Sequence, residues 1–288
     1  MNLLKSYLSL IKFSHTIFAL PFALIGYFMG LQASFKSFNI TSFLLVLLCM
    51  VFARTAAMAF NRYIDRDIDK KNIRTANREI PAGVIKPSSA LFFIVINSLL
   101  FVASTYLINA ICFYLSPIAL LVILGYSLTK RFTHFSHVIL GLGLSLAPIG
   151  AYLAVTGIFN ILPILLSFSV LFWVSGFDII YALQDQEFDS KEKLHSIPVM
   201  LGKKYALFFS GFLHVICAMF IIALGIYNDF EVFYWIGACI FIALLIYQHS
   251  LVKHNDLTNV NLAFATTNGI ASIIFAFFTL CDIWVYAF

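Results

Sequence analysis

Apolar residues run along this chain in long blocks separated by short polar segments. Blocks long enough to cross a bilayer, about 20 residues each, fall at 15–34, 42–60, 88–108, 111–128, 136–155, 161–181, 205–226, 231–249 and 262–286. A backbone surrounded by lipid must satisfy its own hydrogen bonds, so each block is read as a helix. The pattern predicts an all-α, polytopic membrane protein of nine transmembrane helices, built as one domain over residues 1–288. The first span is long and has no small-residue cleavage pattern, which argues against a cleavable signal peptide.

Composition agrees: 62% of the 288 residues are hydrophobic and only 11% are charged, against roughly 25% in a soluble domain. Basic residues near span ends favour the cytoplasmic side. With the N-terminus inside, 16 of the 18 Lys and Arg residues fall on the cytoplasmic side; Lys36 lies outside and Arg54 within the second span. The net charge of +5 therefore describes one membrane face and gives no support for nucleic-acid binding. Cys49, Cys112, Cys217, Cys239 and Cys281 all sit within predicted spans and form no CxxC pair. They are read as apolar packing residues.

Two acidic clusters interrupt the apolar pattern, Asn61-Arg62-Tyr63-Ile64-Asp65-Arg66-Asp67-Ile68-Asp69 and Asp185-Gln186-Glu187-Phe188-Asp189. They come after the second and sixth spans, so both emerge on one side. Each is followed by a basic stretch and an Ile-Pro step, Ile80-Pro81 and Ile197-Pro198. This parallel suggests a pseudo-repeat of two four-helix units, about 15–130 and 136–250, with a ninth helix added.

Asn61, Asp65 and Asp69 stand at i, i+4 and i+8, which on a helix drift only about 40° per step and share one face. Asp67 points elsewhere and suits Arg66, Lys70 or Lys71 as a partner. Asp185 and Asp189 repeat the i, i+4 spacing, and Asp178 lies two turns earlier on nearly the same face. Like charges so placed destabilise a helix, so a cation must offset them. Hard oxygen ligands suit Mg²⁺, which binds one or two carboxylates together with substrate phosphate oxygens. Arg74, Arg78, Lys130, Arg131, Lys191 and Lys193 supply positive charge around them. Metal, phosphate and basic side chains at a membrane surface imply a lipid diphosphate as substrate.

Ionisable residues within spans are functional candidates, because each costs roughly 2.5–3.5 kcal/mol near a helix centre. Arg54 lies two turns deeper than Asn61 on the same face and can hold an anionic group of a second substrate. Tyr126 and Lys130, again i, i+4, can help bind the diphosphate, although snorkelling also explains Lys130. Asp178 is either a base or a group that orients basic neighbours. His15 reads either as an interfacial or packing residue or as a contact to substrate, and His134, His137, His195, His214, His249 and His254 are too scattered along the sequence for a zinc or haem site.

The pattern Asn-x-x-x-Asp-x-x-x-Asp after span two, with Asp-x-x-x-Asp after span six, resembles the UbiA superfamily of intramembrane aromatic prenyltransferases. The likeness extends through Asn72-Ile73-Arg74-Thr75-Ala76-Asn77-Arg78-Glu79-Ile80-Pro81-Ala82-Gly83 and through Gly176-Phe177-Asp178-Ile179-Ile180-Tyr181-Ala182-Leu183-Gln184-Asp185. The first span, with Lys12-Phe13-Ser14-His15-Thr16-Ile17-Phe18-Ala19-Leu20-Pro21-Phe22-Ala23, is similar to the 4-hydroxybenzoate polyprenyltransferase branch. One departure is Arg62, where many members carry Asp, so Asn61 carries the motif.

That resemblance implies a helical bundle around a central cavity, capped by polar cytoplasmic loops and seated in a bacterial inner membrane. It implies Mg²⁺ as cofactor, with Asn61, Asp65 and Asp69 as one metal half-site and Asp185 with Asp189 as the other. Arg54 matches a basic residue near the aromatic acceptor, and Tyr126 with Lys130 match diphosphate contacts. The implied reaction transfers a polyprenyl group from its diphosphate to the ring carbon ortho to the phenol of 4-hydroxybenzoate or a similar acid, for quinone synthesis. The abundant Phe can keep water from the allylic cation. Other acceptors share the donor chemistry: haem, naphthoate or a futalosine-pathway intermediate of menaquinone. A cation-coupled transporter is a competing class, but its carboxylates belong near the bilayer midplane, whereas these lie at span ends.

Overall fold

The computed structural model describes residues 3–11 and 18–287, so His15 and Lys12 lie outside the described residues. The described chain is helical: α1 (Leu3–Leu10), α2 (Leu20–Ser34), α3 (Ile40–Ile64), α4 (Arg66–Lys71), α5 (Pro87–Ile108), α6 (Ala110–Thr129), α7 (Ser136–Thr156), α8 (Ile161–Ala182), α9 (Gln186–Lys191), α10 (Ile197–Tyr227), α11 (Val232–Leu251) and α12 (Asn268–Ala287). A 3₁₀ turn, Leu183–Asp185, joins α8 to α9, and a π-turn, Leu262–Thr267, leads into α12.

Among the described residues eight helices are long and apolar enough to cross a membrane, with α8 and α9 counted together and α12 counted with its π-turn, and α2 is a shorter apolar helix beside them. The protein is an integral, multi-pass membrane protein. The helical part of span one among the described residues, α2, has 15 residues, about 22 Å of helix; positions 15–17 of the expected span lie outside the described residues. Span seven begins earlier than expected, at Ile197, because the chain turns at Gly202 and continues as helix. Gly202 sits at φ +75°, a left-handed conformation that a Cβ would strain.

Each helix starts where its local sequence permits. Asn39, Asn109, Asn160 and Ser196 cap α3, α6, α8 and α10 by accepting a backbone N–H, and prolines occupy the first turns of α2, α5 and α10, where their missing N–H is harmless.

Packing is closest where small residues meet. A Cβ on Gly26 of α2 would stand 2.2 Å from the Pro148 carbonyl oxygen of α7, so the backbones touch there, as in other membrane helix pairs. The main core is aromatic: Phe22, Trp173, Phe177, Phe241 and Phe275 interlock from α2, α8, α11 and α12. The Trp173 indole N–H donates to Asn268 Oδ1 at 2.9 Å, satisfying two polar groups inside apolar surroundings. Large apolar residues such as Leu99, Leu121 and Phe208 are exposed on the spans, as surfaces facing lipid require.

Candidate active site

Asn61, Asp65 and Asp69 do not lie on one unbroken helix. The helix α3 stops at Ile64, Asp65 adopts φ −88°, ψ 2°, and the short α4 begins at Arg66. The i, i+4, i+8 relationship survives the break, because Asp65 N–H donates to the Asn61 carbonyl at 3.0 Å and Asp69 N–H to the Asp65 carbonyl at 2.7 Å. Asp65 and Asp69 are only 2% and 5% exposed, and each meets cations. Lys130 Nζ lies 2.5 Å from Asp65 Oδ2 and Arg131 Nη2 3.1 Å from Oδ1. Arg131 also donates to the Ile64 carbonyl at 2.9 Å, capping the negative end of α3. Asp69 receives Arg78 Nη1 on both oxygens, at 2.7 and 2.8 Å. Asp67 points to solvent and reaches Arg66 at 3.8 Å.

The second cluster also spans a change of helix type. Asp178, Asp185 and Asp189 are expected on one helical face; α8 ends at Ala182 and a 3₁₀ turn carries the chain into α9, and Asp189 stays within electrostatic reach of Asp185 and of His137. Three like charges close together would repel, and the fold gives each a different partner. Asp178 accepts from His137 Nδ1 of α7 at 2.7 Å. Asp185 accepts from Arg74 Nε at 3.0 Å and Asn72 Nδ2 at 3.2 Å, and Arg74 Nη2 also bonds its second oxygen. Asp189 hydrogen-bonds Ser196 and has no ion-pair partner among the described residues.

The loops between α4 and α5, α6 and α7, and α9 and α10 thus close over one region. Lys71 pairs with Glu192 at 2.6 Å, and His195 N–H donates to the Lys130 carbonyl at 2.7 Å. Both Ile-Pro steps anchor their loops, with Ile80 and Ile197 buried in separate apolar clusters. Arg74 also donates to the Tyr181 hydroxyl at 2.8 Å. Burial draws its guanidinium down, but the hydrogen bonds and charge of Asp185 and Tyr181 more than offset this and hold it above its ordinary value. Tyr126 lies within electrostatic reach of Asp65, Arg62 and Asp178, and Arg54 within reach of Tyr126. Lys191 is exposed at the end of α9 and forms no ion pair among the described residues.

Among the described residues no three His, Cys, Asp or Glu converge as a cage for one metal ion. The oxygens come in pairs and singles, which fits Mg²⁺ bound through one or two carboxylates, waters and substrate phosphate.

Histidines that are scattered in sequence are paired in space. His134 packs on His195 with ring centroids 4.7 Å apart, His214 bonds His249 at 2.8 Å, and His137 meets Asp178. His137 is the functional candidate that sequence reasoning missed, and Asn72 and Tyr181 stand out in the sequence only as parts of a motif. The signal for His137 was an ionisable residue at the start of a span, the same criterion that singles out Arg54 and Asp178.

A model of the UbiA prenyltransferase family matches residues 19–281. The chain belongs to that family. This UbiA-family protein is 30% identical over 232 residues to a 4-hydroxybenzoate octaprenyltransferase of Francisella tularensis subsp. novicida, covering 78% of this chain and 79% of the relative. It is 30% identical over 236 residues to the same-named enzyme of Tolumonas auensis, covering 82% of each. Among solved structures, the apo UbiA homolog from Aeropyrum pernix K1 superposes with a TM-score of 0.80 at 28% identity, covering 94% of this chain and 97% of that one. A UbiA homolog from Archaeoglobus fulgidus bound to GPP and Mg²⁺ shares the fold, with a TM-score of 0.74 at 23% identity over 97% of this chain and all of that one. The UbiA-family protein is accordingly a membrane prenyltransferase.

Proposed function

We propose that the protein transfers a polyprenyl group from a polyprenyl diphosphate to the ring carbon ortho to the phenol of 4-hydroxybenzoate or a similar aromatic acid, in quinone biosynthesis. The observation that carries this is the convergence of both acidic clusters with Lys130, Arg131, Arg74 and Arg78 under one set of loops. The relatives named 4-hydroxybenzoate octaprenyltransferase support the acceptor.

Asn61, Asp65 and Asp69 on one side and Asp185 with Asp189 on the other would hold Mg²⁺. When bound, the metal supplies positive charge to the leaving diphosphate. Lys130, Arg131, Arg74 and Arg78 now neutralise the carboxylates and would turn part of their charge to the phosphate oxygens as the allylic C–O bond breaks. Tyr126 would hydrogen-bond the same group, and Lys191 would meet it from the solvent side. Arg54, deeper along α3, would fix the acceptor carboxylate, so that the ring carbon faces the allylic carbon. That ring carbon attacks, a C–C bond forms, and the displaced ring proton must leave. His137, oriented by Asp178 and with its Nε2 buried and unpartnered, is placed to take that proton. Such a site belongs on the cytoplasmic face of a bacterial inner membrane.

The test is product analysis by mass spectrometry from membranes given Mg²⁺, polyprenyl diphosphates and a panel of aromatic acids. Prenylated 4-hydroxybenzoate that disappears in Asp65→Ala, in Asp185→Ala and on chelation by EDTA is the expected result. Product only from another acceptor would overturn the benzoate assignment, and activity surviving both substitutions would overturn the two-cluster mechanism.

A further inference from the structure

Arg62 stands in the last turn of α3, 6% exposed. Its Nε is buried without a hydrogen-bond partner, and among the described residues no carboxylate lies within ion-pair distance of its guanidinium. The charged groups around it are Asp69, Arg78 and Glu79, with Tyr126 beside them. Asp69 already receives Arg78 on both of its oxygens, and Glu79 forms no ion pair among the described residues. A buried charge without a partner costs several kcal/mol, so Arg62 is poised for an anion from outside the chain.

We propose that Arg62 binds a phosphate oxygen of the prenyl donor from the membrane side of the Asp65–Asp69 half-site, and gives the protein a part of its diphosphate affinity that needs no metal. This rests on the proposed donor chemistry. A guanidinium offers forked N–H donors that match phosphate oxygens. The neighbours decide between the two anions the reaction brings. Arg62 sits beside Asp69 and Arg78, whereas Arg54, the candidate for the acceptor carboxylate, lies eight residues away, about 12 Å along the same helix. The fixed charge on Arg62 therefore acts at the diphosphate end of the site.

The experiment is calorimetric titration of the purified full-length protein in detergent with geranyl S-thiolodiphosphate, a donor analogue that does not react, in EDTA and in Mg²⁺. Wild type is expected to bind in both. Arg62→Gln should lose about 10- to 100-fold in EDTA, as expected for a charge-assisted hydrogen bond, and less in Mg²⁺, with Arg62→Lys between the two. Melting of Arg62→Gln should match or exceed wild type, because an unpartnered buried cation has been removed. Equal binding of wild type and Arg62→Gln in EDTA would overturn the inference alone. So would loss of 4-hydroxybenzoate binding with the analogue still held. Failure of wild type to bind the analogue even in Mg²⁺ would overturn the donor chemistry as well. If Arg62→Gln melts early, the comparison rests on Arg62→Lys, and wild-type affinity in that variant counts against a specific guanidinium contact.

Discussion

Arg74 Nε donates to Asp185 at 3.0 Å across 111 positions of sequence. The loop after α4 is thereby fastened to the 3₁₀ turn after α8, and it ties together two acidic segments that are remote in the chain.

Arg74→Ala should weaken donor binding far more than it weakens the fold. Arg74 is 34% and Asp185 18% exposed on their side chains, so solvent screens the pair and its contribution to stability is about 1 kcal/mol or less. A raised KM for the polyprenyl diphosphate, ~10-fold or more by loss of a charge-assisted contact, with a melting temperature near wild type, is the expected outcome. A large drop in melting temperature with unchanged KM would make Arg74 a structural tie.

Asp65→Ala should affect both activity and stability. Its carboxylate is almost fully buried between Lys130 and Arg131, and removing it leaves two cations facing each other, at a cost of about 1–3 kcal/mol. Prenyl transfer should be lost, and melting in detergent should show the cost. Asp67→Ala, on an exposed side chain, is the control and should stay within about 0.5 kcal/mol of wild type.

His137→Gln and Asp178→Asn should slow the same step. Loss of a positioned general base typically costs 10²–10⁴-fold in rate. If His137 accepts the ring proton, His137→Gln should show a primary isotope effect with ring-deuterated acceptor that wild type lacks. Slower turnover with no isotope effect would limit the pair to holding α7 against α8.

Gly26→Ala should destabilise the bundle without touching the chemistry. The added Cβ would collide with the Pro148 carbonyl, so α2 must move from α7 at a cost of about 1–3 kcal/mol. Gly125→Ala, with nothing within 4 Å of the added atom, should leave the melting temperature unchanged or slightly raised. Thermal melts of the two variants side by side make the check.

The spans are legible in the sequence because each is a long apolar run, and insertion into lipid depends on that local property. Local pattern stops being enough at α10, where a kink at Gly202 sets a short helical segment ahead of the long apolar one, and at the second acidic cluster. Seven positions separate Asp178 from Asp185, which on a regular helix is two turns. What the spacing does not announce is the partner of each carboxylate, His137 for Asp178 and Arg74 for Asp185. His137 escapes a reading along the chain because its partner Asp178 is 41 residues away, on another helix.

The sequence by itself determined the membrane class, the all-helical build of long apolar spans, the two acidic clusters and, through their motifs, the family. All of these rest on spacing and composition along a single segment. Only the tertiary structure decided which basic residue meets which carboxylate: Lys130 and Arg131 at Asp65, Arg78 at Asp69, Arg74 at Asp185 and His137 at Asp178. It also left the Arg62 Nε buried without a partner. Ion pairing depends on distances of a few ångströms between loops far apart in the chain, and helix packing sets those distances.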